Sequence, residues 1–542
     1  MKKAILRSKQ KWFSLKKLFL CVKLVSMKDV LVIGAGPAGL TAAYELLSKG
    51  KDYRVTVFEE TNQFGGISRT VEYKGNRMDM GGHRFFSKVP EVNEWWEKML
   101  PQQGAPSKDD IALGRTVTLK DGGPDPEQGD RVMLRRNRVS RIFFNQKFFD
   151  YPISLKPETF VNMGLGTTIV VGFSYIKSCL FKRKESSLED FYINRFGKKL
   201  YSMFFERYTE NLWGRHPSQI DPSWGAQRVK GLSIMAVLAN AISKIFSGKK
   251  RKVETSLIEE FSYPKLGPGQ LWEVTASEIE KLGGTIIMGA KVVSLHKDGD
   301  RMTGLTYVKD GAEHEVAGDY IISSMPVKDL VGGMNNVPED IAGIAKGLPY
   351  RDYMTVGVLV PRLNLKNKTK LKTVSDIVPD DWVYVHDRSV DMGRFQIYNN
   401  WSPYLVKDLE HTVWLGLEYF CNEGDAMWSM SDEDFARKGI SEMVTMKLID
   451  KAEDVLDFHV ERVKKAYPAY FDTYARMDEL VTYLSGIGNL FCVGRNGQHR
   501  YNNIDHSMCT AFEAVKDIMD GIGDHSNVWQ VNTEKEYHEE KK

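Results

Sequence analysis

Short apolar runs and a helical period alternate at the start of the chain. Residues 29–33 (DVLVI) form an apolar run that is typical of a buried parallel strand. A helical segment follows and ends at Gly50, and RVTVFEE at 54–60 has the pattern of a second strand. This order of strand, helix and strand predicts a βαβ unit.

The pattern changes to a helical period between about residues 155 and 250. Ser187 and Asp190 have the spacing of a capping box at the start of one helix. The apolar run at 162–176 is too short to span a bilayer and predicts a buried or interfacial helix. We therefore predict a helical subdomain over residues 154–253.

Strand-like patterns lie on both sides of this helical region. RIFFNQKFFDYP (141–152) predicts a hairpin around Asn145-Gln146, whereas residues 101–140 read as an irregular insertion with a turn-rich centre. Alternating apolar runs return at 285–326 and 350–420. A last strand at 489–495 precedes a helix near 507–520.

Composition and charge exclude several classes of function. The chain has 542 residues, of which 42% are hydrophobic and 11% aromatic, as in ordinary globular proteins. A net charge of +4 argues against bulk binding of nucleic acid. Five cysteines without CxxC spacing predict neither a disulfide framework nor a zinc site, and fit a reducing compartment. We expect no metal and no nucleic-acid partner.

Residues 1–26 are basic and partly apolar. Lysines at positions 16, 17 and 23 interrupt the apolar run and no small-residue cleavage site follows, so we do not expect a secretory signal. We favour an N-terminal extension before Met27, with a basic amphipathic segment on a membrane surface as the alternative. We expect a cytoplasmic protein, at the inner face of the membrane if this segment makes peripheral contact with lipid.

A glycine-rich loop carries the clearest chemistry. GAGPAG (34–39) follows the first predicted strand and opens the first helix, which is the arrangement that binds a dinucleotide. Gly34 permits the tight turn, Gly36 lets a pyrophosphate approach the backbone, and Gly39 lets helix and strand pack closely. Glu59, at the end of the second strand, is expected to accept hydrogen bonds from the ribose. A glycine-rich turn in some other α/β protein is the alternative.

A second glycine motif favours FAD over NAD. Gly65, Gly66 and Arg69 follow Glu59 closely, and this segment resembles the second glycine motif of the flavoproteins that include amine oxidases and protoporphyrinogen oxidases. KVVSL (291–295) resembles the strand that meets adenine in that group. No second GxGxxG for NAD(P)H is present in the sequence, so the reductant is unidentified.

Pattern and resemblance together predict an α/β protein with a Rossmann-like FAD-binding domain of the glutathione reductase type. This domain is discontinuous and the remaining segments form the helical subdomain, a mixed-sheet substrate domain and a polar tail. The predicted segments are 27–90, 254–330 and 487–522 for FAD binding, 141–153 and 340–486 for the substrate domain, and 523–542 for the tail.

A closer resemblance begins at DMGGH (79–83). This segment is similar to the glycine–histidine loop of UDP-galactopyranose mutases. The resemblance implies that His83 lies against the isoalloxazine ring and hydrogen-bonds near N5. Gly82 would let the loop approach the flavin because no Cβ intervenes. A loop histidine bonded to backbone is the alternative for His83.

Further segments resemble the same family in the same order along the chain. They are FFDYP before residue 153, FFERYTENLWG (204–214), FSYPKLGPGQLW (261–272), RFQIYNNWSPY (394–404) and GRNGQHRYNNIDHSM (494–508). Each match is weak alone, and their shared order implies the superfamily.

The resemblance assigns an anion clamp to two arginines. It places Arg207 and Arg394 on the diphosphate of a sugar nucleotide, where a guanidinium fork matches phosphate oxygens. The alternatives are an ion pair of Arg207 with Glu206 or Glu210, and an exposed strand position for Arg394.

Four more residues receive roles from the resemblance. Tyr384 and Tyr501 would donate hydroxyl hydrogen bonds to the substrate, and Arg495 and Asn503 would lie near the flavin. Packed aromatic residues with solvated hydroxyls are the alternative for the two tyrosines.

The implied function is a mutase reaction. The chain would interconvert the pyranose and furanose forms of a nucleotide-linked sugar through a reduced-flavin N5 adduct, for cell-surface polysaccharide synthesis. The rival is an FAD-dependent oxidoreductase of the amine oxidase or protoporphyrinogen oxidase type, for which the apolar segment 160–180 would suit a membrane-surface substrate. A third alternative is a non-enzymatic FAD-bound scaffold. The paired arginines separate these alternatives, since a neutral substrate needs no diphosphate clamp.

Overall fold

The computed structural model describes residues 27–151, 153, 157–222 and 260–532. The predictions for residues 1–26, 152, 154–156, 223–259 and 533–542 lie outside the described residues. The strands are β1 (Lys28–Ile33), β2 (Tyr53–Glu59), β3 (Thr70–Tyr73), β4 (Asn76–Asp79), β5 (Met133–Asn137), β6 (Ser140–Phe144), β7 (Lys147–Asp150), β8 (Glu260–Pro264), β9 (Thr285–Met288), β10 (Lys291–Asp298), β11 (Arg301–Lys309), β12 (Ala312–Ala317), β13 (Tyr320–Ser323), β14 (Tyr350–Val360), β15 (Trp382–Val385), β16 (Arg394–Ile397), β17 (Val413–Cys421), β18 (Asp457–Pro468) and β19 (Leu490–Cys492).

The helices are concentrated around the first sheet and in the segment between β7 and β8. They are α1 (Pro37–Lys49), α2 (Pro90–Met99), α3 (Lys108–Leu113), α4 (Pro157–Met163), α5 (Leu165–Leu180), α6 (Leu188–Phe196), α7 (Lys198–Phe204), α8 (Glu206–Trp213), α9 (Gly269–Lys281), α10 (Val327–Gly332), α11 (Glu339–Gly347), α12 (Tyr398–Trp401), α13 (Asp432–Thr445), α14 (Met477–Ser485), α15 (Gly494–Gly497), α16 (Ile504–Asp520) and α17 (Ser526–Gln530). Within the described part of the chain, none of these helices is long and apolar enough to cross a bilayer.

A five-stranded parallel sheet forms the first layer, with the order β19-β13-β1-β2-β9. Its central strand β1 is fully apolar and buried from Val30 to Ile33, as the sequence pattern predicts. Helices α1 and α16 contact each other beside this sheet, and their buried alanines allow the close approach. The predicted α/β fold is confirmed.

A seven-stranded mixed sheet forms the second layer, with the order β18-β14-β17-β16-β15-β6-β7. Strands β6 and β7 are the predicted hairpin, and Asn145 and Gln146 turn it with φ of 49° and 58°. These positive φ values are typical of a two-residue hairpin turn. The hairpin joins the sheet through the parallel pair β6–β15.

The helical segment agrees with its sequence pattern where it is described. The Ser187 side chain accepts a hydrogen bond from the Asp190 amide and caps α6, as predicted. The expectation of an irregular insertion at 101–140 is wrong for residues 108–113, which form α3, and for residues 133–137, which form β5. This strand pairs with β8, and local patterns do not reveal so distant a partner.

Candidate active site

A cavity of about 1920 Å³ lies where the carboxyl end of the parallel sheet meets the mixed sheet. Its wall includes the loop after β1, the loop after β4, helices α6 to α8, and residues of β15, β16 and β18. Most of the predicted site residues line it. The members of this set are Gly34, Gly36, Glu59, Gly66, Arg69, Gly82, His83, Tyr384, Arg394, Arg495, Tyr501 and Asn503.

Two glycine loops pack backbone against backbone at one end of the cavity. A Cβ on Gly66 would lie 3.4 Å from the Cα of Gly36, and Gly66 has a φ of +55°. A Cβ on Gly39 would collide with the carbonyl oxygen of Gly34, so helix α1 approaches the turn as closely as backbone allows. No side chain caps α1, whose first residues face the cavity. Its free N–H groups form a cradle that fits a pyrophosphate.

Glu59 closes the first loop from the end of β2. Its carboxylate accepts hydrogen bonds from the Ala35 amide at 2.8 Å and from the Thr61 amide and hydroxyl at 3.0 and 2.8 Å. A carboxylate has about four acceptor sites, so one remains for a ribose hydroxyl. Glu59 therefore shapes the loop as well as facing the cavity, a role that the sequence does not reveal.

The second glycine motif places Arg69 at the cavity wall. Gly65 has a φ of +98°, and a Cβ there would lie 2.8 Å from the Trp272 ring, so Gly65 supports the loop from behind. Arg69 donates to the Gly66 carbonyl at 3.2 Å and lies 3.4 Å from Glu461. The arginine thereby joins the glycine loop to the mixed sheet.

His83 is held by the backbone. Its Nε2 lies 2.9 Å from the Ile67 carbonyl and 3.1 Å from the Met80 carbonyl, so Nε2 carries the proton and Nδ1 is an acceptor. Burial, with the nearby charge of Arg495, lowers the pKa of His83 to about 4. The ring is therefore neutral near pH 7. The structure thus shows the backbone hydrogen bonds that the alternative describes, on a histidine that lines the cavity. The contact of His83 with the flavin stays a prediction.

The two glycines before His83 have separate structural reasons. Gly81 has a φ of +93°. A Cβ on Gly82 would collide with the six-membered ring of Trp382 and lie 3.1 Å from Trp401. The structure thus gives Gly82 a tryptophan neighbour that the sequence did not reveal. Gly82 also lines the cavity, and its approach to the flavin stays a prediction.

Asp79 anchors the start of this loop. It accepts hydrogen bonds from the hydroxyls of Tyr263 and Thr70, the latter at 2.8 Å, and its backbone carbonyl accepts one from Tyr398 at 3.1 Å. Complete burial raises the pKa of Asp79 to about 7. These contacts fix the loop that carries His83.

Arg394 extends from β16 into the cavity and is 13% exposed, so the alternative of an exposed strand arginine is wrong. Its Nε lies 2.5 Å from the buried Glu418 carboxylate, and its Nη2 donates to the Tyr467 hydroxyl at 3.0 Å. Neither Glu418 nor Tyr467 was predicted as a site residue. The strand pair β16–β17 places Glu418 directly opposite Arg394.

Arg495 lies on the other side of Tyr467. Its guanidinium is 4.6 Å from the Tyr501 ring centre and 5.8 Å from that of Tyr467. It donates to the backbone carbonyls of Asn502 and Ala466 at 2.9 and 3.1 Å. Within the described residues no carboxylate pairs with Arg495, so its charge is available to an anionic ligand.

Asn503 and Tyr501 follow on the same segment. Asn503 stands at the N-cap position of α16 at the cavity wall. The Tyr501 ring stacks against Tyr467 with centres 6.0 Å apart. The structure therefore brings Arg394, Arg495 and Tyr501 around one tyrosine.

Tyr384 belongs to an aromatic group on the opposite wall. Its ring stacks on Tyr151 at 4.1 Å and meets the edge of Tyr208 at 5.5 Å. His386 stacks on Tyr208 at 5.1 Å, and burial lowers its pKa to about 3. Burial also raises the pKa of Tyr384 well above its usual value, so its hydroxyl stays protonated. The alternating pattern of WVYVH (382–386), which is β15 and the residue after it, could have indicated His386 beside Tyr384.

Arg207 does not line the cavity. It lies on α8, where it donates to Asp391 at 2.9 Å and lies 3.8 Å from Glu210. The neighbouring Tyr208 and Thr209 face the cavity instead. The structure thus shows an ion pair on the helix surface, as in the alternative for this arginine, but its shorter contact is with Asp391, which the sequence did not indicate.

Comparisons with known proteins bear on this geometry. The model of the family "Flavin containing amine oxidoreductase" matches residues 37–503. A crystal structure of reduced UDP-galactopyranose mutase superposes with a TM-score of 0.71 and 19% identity, covering 92% of this chain and 97% of that one. At this identity the superposition bears on the fold alone.

Curated relatives match over shorter segments. Protoporphyrinogen oxidase 2 of Arabidopsis thaliana is 44% identical over 123 residues, which are 22% of this chain and 22% of the relative. Coproporphyrinogen III oxidase of Mycobacterium leprae is 38% identical over 69 residues, which are 12% of this chain and 15% of the relative. The chain thus matches less than a quarter of the length of either relative.

Proposed function

From the premise that the chain belongs to the flavin containing amine oxidoreductase family, with FAD as its cofactor, we propose that it is a nucleotide-sugar mutase similar to UDP-galactopyranose mutase. The substrate would be a sugar linked to a nucleoside diphosphate. One observation carries the proposal: Tyr467 joins Arg394 to Arg495 at the cavity wall beside the His83 loop.

The charges of this group suit a phosphorylated ligand. Arg394 and Arg495 bring two positive charges to the wall, and Glu418 offsets one of them. The net positive charge lies beside the rings of Tyr467 and Tyr501 inside a cavity, where water screens it less than at an exposed surface. A guanidinium there would donate to diphosphate oxygens in a fixed geometry.

The remaining polar groups suit a hydroxylated ring. Tyr384 stays protonated and can donate its hydroxyl to a sugar oxygen. Neutral His83 presents an acceptor at Nδ1, because Nε2–H is engaged by the Ile67 and Met80 carbonyls. The rings of Tyr151 and Tyr208 beside Tyr384 would shield a bound sugar from water.

The cofactor would lie between the glycine loops and the His83 loop. The uncapped end of α1 and the packed Gly36 and Gly66 would hold its pyrophosphate, with Glu59 toward the ribose. Reduced FAD, when bound, supplies the nucleophile for the anomeric carbon. The protein would hold that carbon in place and stabilise the departing diphosphate through its arginines.

A specific observation favours a second candidate, an FAD-dependent oxidoreductase. Arg207 faces Asp391 outside the cavity, so the two-arginine clamp is not assembled in the described arrangement. The matched relatives named above are porphyrinogen oxidases, and the wall at Tyr384, Tyr208 and His386 could pack against a planar apolar ring.

The deciding experiment compares the two reactions on one preparation. The FAD-loaded protein is reduced with dithionite under nitrogen and incubated with UDP-galactopyranose, and the anomeric proton of each ring form is followed by NMR. In parallel, the oxidised protein receives coproporphyrinogen or putrescine while oxygen uptake is measured. Ring isomerisation that requires prior reduction supports the mutase. Oxygen uptake without isomerisation supports the oxidoreductase and contradicts the first proposal.

A further inference from the structure

Helix α5 carries large apolar side chains on its outer face. With roughly 100° between successive residues, five of them fall within an arc of roughly 80°. We call this set the α5 stripe; its members and exposed fractions are Leu165 at 80%, Ile169 at 50%, Phe173 at 71%, Ile176 at 54% and Leu180 at 72%. A contiguous exposed apolar surface of this kind usually marks a contact with another protein or with a membrane.

The opposite face of α5 packs against the protein and carries small residues, Val171 among them. The Ser174 hydroxyl accepts a hydrogen bond from the Lys199 amide at the start of α7, at 3.0 Å. Ser178 is only 6% exposed, and a Cβ on Gly197 would lie 2.8 Å from the Tyr175 backbone nitrogen. An amphipathic helix on the solvent-exposed surface of a globular protein has its apolar residues facing the core and its polar residues facing water. The outward position of the α5 stripe therefore favours contact with an apolar partner over contact with water.

Positive charge borders the stripe. Lys177, Lys182, Arg183 and Lys184 are exposed, and the sequence has no Asp or Glu between Glu158 and Glu185. Arg183 lies 3.3 Å from Asp190, beyond this stretch. An apolar stripe with a basic border is typical of a helix that lies in the interface of an anionic bilayer.

Charge also decides against a second copy of the chain as the occupant. Pairing two α5 stripes would bring two basic borders together without an acidic residue from the same stretch to offset them. The helix has 16 residues, fewer than the roughly 20 that cross a bilayer, so it would lie along the surface.

We propose that the α5 stripe and its basic border dock the protein on an anionic lipid bilayer, with α5 parallel to the surface. The stripe does not line the cavity, so the proposal is independent of the reaction. Helix α5 packs on α7, whose Phe204 does line the cavity. Docking would place the active site one helix away from the lipid surface.

Vesicle flotation with the full-length FAD-loaded protein tests this proposal. The vesicles are phosphatidylcholine alone or phosphatidylcholine with phosphatidylglycerol. The test variant carries Ile169→Gln, Phe173→Gln and Ile176→Gln. The matched control carries Leu282→Gln, Leu371→Gln and Leu456→Gln, which lie elsewhere and are 44%, 42% and 57% exposed. Flavin absorbance and melting temperature establish that both variants are folded.

We expect the wild type and the control to float with phosphatidylglycerol vesicles, and the stripe variant to lose roughly tenfold or more in partitioning. High salt and the pair Lys182→Gln and Lys184→Gln should weaken binding. Three results would overturn the proposal: no flotation of the wild type, equal flotation of the stripe variant, or equal binding to uncharged vesicles. Sedimentation velocity tests the other occupant, a second copy of the chain. If the wild type is a dimer, the stripe variant is a monomer and neither binds lipid, the stripe is a dimer interface and the proposal is wrong.

Discussion

Arg207 donates a hydrogen bond to Asp391 at 2.9 Å, although 184 residues separate them in the chain. The same carboxylate lies 2.8 Å from Lys438, whose other partner is Glu442 at 2.7 Å. A diphosphate would therefore have to compete with Asp391 for Arg207. The two-arginine clamp predicted from the resemblance would require this ion pair to open.

Asp391→Asn should strengthen UDP binding to the reduced enzyme if Arg207 moves onto the diphosphate, because the competing charge is gone. Arg207→Ala should weaken it by about 1–2 kcal/mol, roughly tenfold. Flavin fluorescence titration with UDP gives both values. Arg388→Ala is the control, since it removes a nearby positive charge that contacts Glu206 and not Asp391. Unchanged UDP affinity in both test variants would remove Arg207 from the clamp.

Tyr467→Phe should weaken UDP binding about fivefold, which is about 1 kcal/mol, by removing the hydroxyl that holds Arg394. The ring remains, so its stacking on Tyr501 and its contact with Arg495 persist. Equilibrium titration with UDP measures the change. The control Tyr474→Phe deletes another hydroxyl at the cavity wall that makes no hydrogen bond to Arg394. An equal loss in both variants would show that Arg394 needs no help from Tyr467.

Gly82→Ala should lower the free energy of unfolding by about 1–3 kcal/mol, because the added methyl group collides with Trp382. The FAD content should fall as well, since the same loop carries His83. Thermal melting and the ratio of flavin to protein absorbance report both effects. In a Trp382→Val background, Gly82→Ala should cost less stability than it does in the wild type, because the clashing ring is gone. Gly166→Ala, where a Cβ meets open space, is the control. A normal melting temperature for Gly82→Ala would contradict the steric argument.

His386 should make the protein less stable in acid. Burial lowers its pKa from 6.5 to about 3, so the folded chain keeps it neutral while the unfolded chain takes up a proton below pH 6.5. Stability then falls as pH drops from 6.5, with a slope of about 1.4 kcal/mol per pH unit near pH 5. His386→Phe should remove this share of the slope in urea titrations between pH 4.5 and 6.5. His314→Phe, which removes an exposed histidine, is the control. An unchanged slope in His386→Phe would mean that the buried ring does not control acid sensitivity.

Local sequence rules predicted the parts of this protein that depend on near neighbours. The apolar run of β1, the glycine loop, the Asn145-Gln146 turn and the Ser187 cap each depend on residues within a few positions. For this reason the α/β fold and the nucleotide-binding loop could be read from the pattern. The cofactor followed from resemblance to known flavoproteins.

Long-range packing decided the rest, because its partners are distant in the chain. The sequence indicated that Gly82 matters, and only the fold shows that Trp382 lies over it. The sequence around Arg394 does not indicate its contacts with Glu418 and Tyr467, because both residues lie on other strands of the mixed sheet. The apolar segment that became α5 was compatible with a buried or an interfacial helix. Its contact with α7 placed the face of Ser174 and Ser178 inward and left the α5 stripe outside, and no local pattern contains that choice.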